Sequence, residues 1–156
     1  MRLSDEAFGM VIGATPLVSI DLIVMNAAGQ VLLGQRRNRP AQAYWFVPGG
    51  RIRKEEGLRA ALARIAQTEL GMAVPAGRLL GAFDHIYPDN FLGRPGLSTH
   101  YVALGYQCAL PEGFEPVADP QHARLQWWDV PALLADEQVH ANTKRYFQDE
   151  DGQSLR

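Results

Sequence analysis

The chain has a single cysteine, Cys108, among its 156 residues, so no disulfide can form within it and a reducing compartment is expected. No apolar run approaches the about 18 residues that cross a bilayer, and no secretory leader is visible. The expectation is therefore a cytoplasmic protein that does not enter a membrane. A net charge of -2 excludes a global field for nucleic acid or anionic lipid, so any anion site must be local. Internal repeats, linkers and low-complexity tracts are missing too, which leaves one domain over residues 1–156. With 47% hydrophobic and 21% charged residues the composition is that of a globular chain, long enough to bury about two-thirds of its unfolded surface.

A more local absence is sharper. Residues 22–54 contain no Asp or Glu, yet they carry Arg36, Arg37, Arg39, Arg51, Arg53 and Lys54. A solvated basic face is the usual reason for such a run. Here five of the six are arginines, whose planar fork suits bidentate phosphate contacts, and they bracket Gly49-Gly50. The local charge suits a diphosphate better than a long polyanion.

The stretch after that glycine pair organises the rest. The pair is expected to turn the backbone tightly and bring it close to a ligand. Leu58, Ala61, Leu62, Ile65 and Ala66 recur at i, i+3, i+4, i+7 and i+8, which predicts a helix with one core-facing stripe. Gly71 stands where a helix C-terminus favours glycine. Glu69 breaks the pattern. At about 100° per residue it projects only ~20° from Leu58, inside the apolar stripe, and its charge opposes the helix dipole in the last turn. Two costs on one carboxylate point to a compensating cation.

Elsewhere, Ser4 can cap a short helix whose Ala7, Phe8, Val11 and Ile12 share a face, ended by Gly13 and Thr15-Pro16. Residues 17–25 read as a strand with Val18, Ile20, Leu22 and Val24 on one side and Ser19 and Asp21 interrupting the other. Asp21 is either a solvated strand acid or a site residue. A turn at 26–29 leads to a strand at 31–35. Strands are expected at 78–87, 98–110 and 125–128, with a specificity loop or lid at 88–96 and a loop at 111–124. Asp129 can cap a turn near Pro131, residues 138–147 read as a final helix, and 149–156 as a polar tail. Trp45, Trp127 and Trp128 are expected in the core. Periodicity alone supports α/β or α+β.

Gly50, Glu56, Arg64, Glu69 and Gly71 fall at the spacings of the Nudix box, and the chain resembles that family. Two of the box's glutamates are missing, their positions held by Ile65 and Thr68. The branch that hydrolyses GDP-mannose at the mannosyl bond lacks the same two. The likeness to it runs over about residues 4–147, through Thr15-Pro16-Leu17-Val18-Ser19, Asn38-Arg39-Pro40-Ala41-Gln42, Tyr44-Trp45-Phe46-Val47-Pro48, Thr99-His100-Tyr101 and Gln121-His122. The resemblance implies a Nudix-type α/β/α sandwich with a mixed β-sheet between helical layers. It implies Mg²⁺, or Mn²⁺ in its place, held by Glu69, the Gly49 carbonyl and Gln121. It carries over His122, Arg36, Asp21 and Tyr101 as catalytic, and Phe8, Arg51, Arg64 and His85 as substrate-binding. It also implies a homodimer acting on a nucleotide sugar.

The residues themselves agree with that chemistry in part. Ile65 and Thr68 cannot accept a proton, whereas the imidazole of His122 suits proton removal from water near neutral pH. Asp21 is free either to orient His122 or to hold the sugar. His85 can equally contact the substrate or serve as an internally bonded strand histidine, and the resemblance also allows Arg64 to hold the box loop or its acidic partners in place. The alternatives are a pyrophosphohydrolase attacking phosphorus and a non-catalytic nucleotide-sugar-binding domain.

Overall fold

The computed structural model describes residues 2–75, 77–110, 113, 115–116, 122–148 and 154–155, with backbone only at 122, 123, 154 and 155. Ser4 starts the first helix, α1 (Asp5–Ala14), as expected: its Oγ accepts the Ala7 N–H at 3.2 Å. β1 (Leu17–Met25) follows, and Asn26 closes the turn to β2 (Val31–Arg36) by accepting the N–H groups of Ala28 and Gln30. Two short strands come next, β3 (Trp45–Phe46) and β4 (Gly49–Arg51), then α2 (Leu58–Leu70). β5 (Arg78–Tyr87), β6 (Thr99–Ala109), β7 (His122–Trp128), α3 (Val130–Ala135), α4 (Ala141–Lys144) and β8 (Ser154–Leu155) complete the described elements.

The strands form one mixed sheet in the order β3-β2-β1-β6-β5-β8, with β4 added to β1 and β7 to β2. β1 is its spine. It runs parallel to β6 along its whole length, touches β2 only at Met25↔Val31, and pairs its first half with β4 through Ser19↔Arg51, Ile20↔Gly50 and Asp21↔Gly49. A parallel central strand of this kind is buried on both faces. On one face Ile20, Leu22 and Val24 pack with Ala61, Leu62, Ile65, Ala66 and Leu70 of α2. On the other, Ile23, Leu33, Trp45, Val47 and Phe83 pack with Leu133, Val139 and Tyr146 from the C-terminal segment. The expected α/β/α sandwich is present. Among the described residues no helix is long and apolar enough to cross a membrane.

Several expectations need correction. Gly49-Gly50 is not a turn but strand β4. Glycine is required there because a Cβ on Gly49 would strike the Asp21 carboxylate and the Ile20 carbonyl, and one on Gly50 would lie 3.1 Å from Ile65 Cγ1. Val18 is 42% exposed, beyond the α2 side chains that cover Ile20, Leu22 and Val24. Leu58, in the first turn of α2, is 48% exposed, so the buried stripe begins at Ala61. β7 starts three residues before the expected 125, extended by pairing with β2. The final helix is only α4 plus a 3₁₀ turn at Arg145–Phe147, because residues 138–140 are drawn out to bond β3: Trp45 N–H donates to the Gln138 carbonyl and His140 N–H to that of Trp45. Asp129 occupies the cap position of α3, but its Oδ1 accepts from Gln30 Nε2 and not from the helix. Within the expected tail, β8 pairs with β5.

The close approach at Gly49 gives the first prediction. Gly49→Ala should lower the midpoint of thermal or urea unfolding, by the ~1–3 kcal/mol of an overpacked interior. An unchanged midpoint would contradict the contact between β4 and Asp21.

Candidate active site

The site lies where β4 leaves β1 and the α2 C-terminus passes beneath. Gly71, left-handed at φ 71°, ends α2 as expected and donates its N–H to the Gln67 carbonyl. Glu69, in the last turn, is 4% exposed. It borders an inner cavity of about 110 Å³ together with Asp21, Arg36, Gly49, Arg51, His85 and Tyr101. The sequence therefore identified a group of residues that the fold does bring together. An outer cleft of about 380 Å³ continues from it, reached by Phe8, Arg39, Arg53, Arg64 and Phe91.

Asp21 is not a solvated strand acid. Its side chain is 16% exposed, and Oδ2 accepts the Tyr146 hydroxyl at 2.6 Å with His85 Nδ1 3.8 Å away. Burial pushes its carboxyl up to about 6; the Tyr146 bond and Arg36 oppose the shift, and the neighbouring Glu69 charge adds to it. His85 is 4% exposed, so it is an interior histidine that nonetheless lines the cavity. Burial likewise raises the Tyr101 phenol, against the pull of Arg36 and Arg51.

The arginines arrive on aromatic supports. The Arg36 guanidinium lies 5.2 Å from the Phe46 ring, and Phe46 stacks on His140 at 4.8 Å and 20°. Arg51 lies 4.8 Å from the Phe8 ring of α1. Of the basic run, Arg36, Arg39, Arg51 and Arg53 border the outer cleft, so most of it gathers around one opening. Desolvation lowers the pKa of His140 to about 4, and its Nδ1 accepts the Asn142 N–H, so it stays neutral behind Phe46. Sequence reasoning missed this backing, because Phe46 and His140 lie 94 positions apart and no spacing rule joins them.

Arg64 grips Glu56 with two prongs, Nε to Oε2 at 2.7 Å and Nη2 to Oε1 at 2.8 Å, and also donates to the Arg51 carbonyl at 2.8 Å. Glu56 Oε1 further accepts the Arg53 N–H. This buckle ties the loop after β4 to α2 and so holds Arg51 and Gly49 over Glu69. The expected lid is also ordered: Asn90 is fully buried, donating to the carbonyls of Arg94 and Leu97 and accepting the Arg94 N–H. β7 places the backbone of His122 opposite Arg36. Gln121 lies outside the described residues.

The donor set fits a hard cation. Glu69 and Asp21 are enclosed carboxylates around one cavity that repel each other, and Gly49 adds backbone oxygen nearby. Among the described residues no three His, Cys, Asp or Glu side chains converge, so the protein would supply few ligands and leave the others to water and substrate. Oxygen ligands in small number suit Mg²⁺ or Mn²⁺.

Residues 15–149 match the family model described as NUDIX domain. Low-salt glycan biosynthesis protein Agl8 of Haloferax volcanii is 37% identical over 146 residues, 93% of this chain and 88% of that protein. The crystal structure of a MutT NUDIX hydrolase from Burkholderia pseudomallei superposes with a TM-score of 0.70 at 28% identity, covering 87% of this chain and 99% of that one. That of a MutT protein from Methanosarcina mazei Go1 gives 0.71 at 20% identity, covering 86% and 92%, and shares the fold.

Two measurements follow. The Arg64 guanidinium holds the Glu56 carboxyl well down, from its ordinary 4.5 to about 2. A depressed carboxylate stabilises the fold above its ordinary value, and that stability is lost as pH falls toward the lowered one. Glu56→Gln should thus melt several degrees below wild type at pH 7, with the gap narrowing from pH 4.5 to 2; a gap independent of pH would deny the ion pair. Glu69→Gln should leave melting unimpaired but weaken Mn²⁺ binding by at least ~10-fold in calorimetry; unaltered affinity would remove Glu69 from the metal site.

Proposed function

Because this chain belongs to the NUDIX family of hydrolases, we propose from that premise that it cleaves a nucleoside diphosphate sugar between sugar and diphosphate. The preferred substrate is GDP-mannose, hydrolysed to GDP and free mannose. The observation that carries this reading is what stands where the box's acids would be. Ile65 is 1% exposed and packs toward Gly50, and Thr68 borders the outer cleft, so neither can take a proton from water beside the phosphates. Glu69 is the one box carboxylate left at the cavity, and it would be engaged by a bound cation. The glycan role in the name of the Haloferax volcanii relative is in keeping with a sugar-bearing substrate.

In this mechanism the diphosphate lies between Arg36 and Arg51, whose aromatic supports hold the forks in place before substrate arrives. A bound Mg²⁺ or Mn²⁺, held by Glu69, the Gly49 carbonyl and Gln121, would neutralise charge on the departing diphosphate. His122, on the strand that pairs with Arg36, removes a proton from water. The water oxygen bonds to the anomeric carbon as the bond from that carbon to the diphosphate oxygen breaks, so GDP leaves with both phosphates and the sugar inverts. Asp21 faces the sugar from the cavity wall, with His85 and Tyr101 beside it.

Incubation with a panel of nucleotide sugars tests the reading through its products. GDP and mannose are expected from GDP-mannose; GMP and mannose 1-phosphate would return the chain to the pyrophosphohydrolases. His122→Gln should lower turnover by ~10²–10⁴-fold with little change in KM. Wild-type turnover should rise with pH through a group at about 6–7 as neutral imidazole accumulates. A variant with normal turnover and the same profile would dismiss His122 as the base.

A further inference from the structure

Tyr146 belongs to no part of the box and to none of the strands around the cavity, yet its hydroxyl reaches an active-site acid. It sits in the 3₁₀ turn Arg145–Phe147, 7% exposed. Its ring is placed by packing: edge-on against Phe83 with centroids 4.5 Å apart and planes at 64°, and against His85 at 5.8 Å and 70°. Gly105 of β6 leaves the room for it, since a Cβ there would fall 2.5 Å from Tyr146 Cε1. The segment carrying it is anchored independently, through the Val47 N–H to Thr143 Oγ1 and through Arg145 Nη1 to the Asp84 carbonyl at 2.7 Å. From that fixed ring Oη donates to Asp21 Oδ2 at 2.6 Å, a short bond of the charge-assisted kind.

The two Asp21 oxygens are thereby given different surroundings. Oδ2 takes the phenol and lies on the His85 side, while Oδ1 lies against Gly49 at the cavity wall. We propose that Tyr146 is a positioning residue: its hydroxyl locks the Asp21 carboxylate in one orientation, so that Oδ2 is engaged and Oδ1 is presented to the substrate's sugar hydroxyls. Burial and the Asp21 charge hold the phenol well above its ordinary value, so it remains a donor throughout the working pH range. A carboxylate that is already oriented needs no reorganisation when the sugar moves toward the transition state, so the effect belongs in turnover and not in ground-state affinity. The inference rests on the hydrolase reading above only in taking Asp21 as an active-site group.

The test is a double-mutant cycle in the full chain. Tyr146→Phe keeps the ring and removes the bond. It should lower kcat roughly 10-fold or more, the size of one lost hydrogen bond to a charged group. KM and GDP affinity should stay close to wild type. In the Asp21→Asn background the same change should cost less than about 2-fold, because the bond it removes no longer acts on a carboxylate. Gly105→Ala, which presses the ring out of place, should reproduce the kcat loss and add little to Tyr146→Phe. Three results would overturn the proposal: unchanged kcat in Tyr146→Phe, a full multiplicative loss on top of Asp21→Asn, or a fall in kcat matched by an equal loss of GDP affinity. Cleavage at phosphorus by wild type would defeat the proposed function separately, and the cycle would then be read on that reaction.

Discussion

The structure turns on the burial of one carboxylate at an unfavourable place. Glu69 lies in the last turn of α2, where the helix end is negative, and is almost inaccessible to water. Asp21, a second enclosed acid, borders the same cavity and carries a raised pKa partly because of it. Neighbouring like charges in a low-dielectric pocket are expensive unless cations offset them. The fold meets this with Arg36 and Arg51 at the cavity wall.

That arrangement constrains everything nearby. β4 must run close to β1 for Gly49 to reach the acids, which excludes a side chain at 49. The loop after β4 must be fastened, and the Arg64–Glu56 grip with its extra bond to the Arg51 carbonyl does so. The arginine forks must stand in place without substrate, and Phe46 and Phe8 support them. Behind Phe46, a neutral His140 avoids adding a second positive charge to the stack. The box motif thus supplies Glu69 and the fastened loop around the cavity, and the C-terminal segment supplies backing through His140 and Tyr146.

Much of this was legible in the chain. The misplaced charge of Glu69, the acid-free basic run and the Gly71 stop all follow from local rules, and the strands at 17–25 and 78–87 have the expected ends. What escaped depends on partners distant in sequence. Two- and three-residue strands such as β3 and β4 have no periodicity to read; pairing with β2 and β1 makes them strands. The final helix is shorter than its pattern because bonds to β3 draw out residues 138–140. Tyr146 lay unremarked in the stretch read as a final helix, and only the docked C-terminal turn shows its hydroxyl on Asp21, 125 residues away. Ile65 and Thr68 could be read at once as unable to act as bases.

Which atom receives the water is the central claim, and isotope labelling addresses it directly. Hydrolysis of GDP-α-mannose in ¹⁸O-water should place the label on mannose and none on GDP, with β-mannose as the first-formed anomer. Label in a phosphate group would contradict the account.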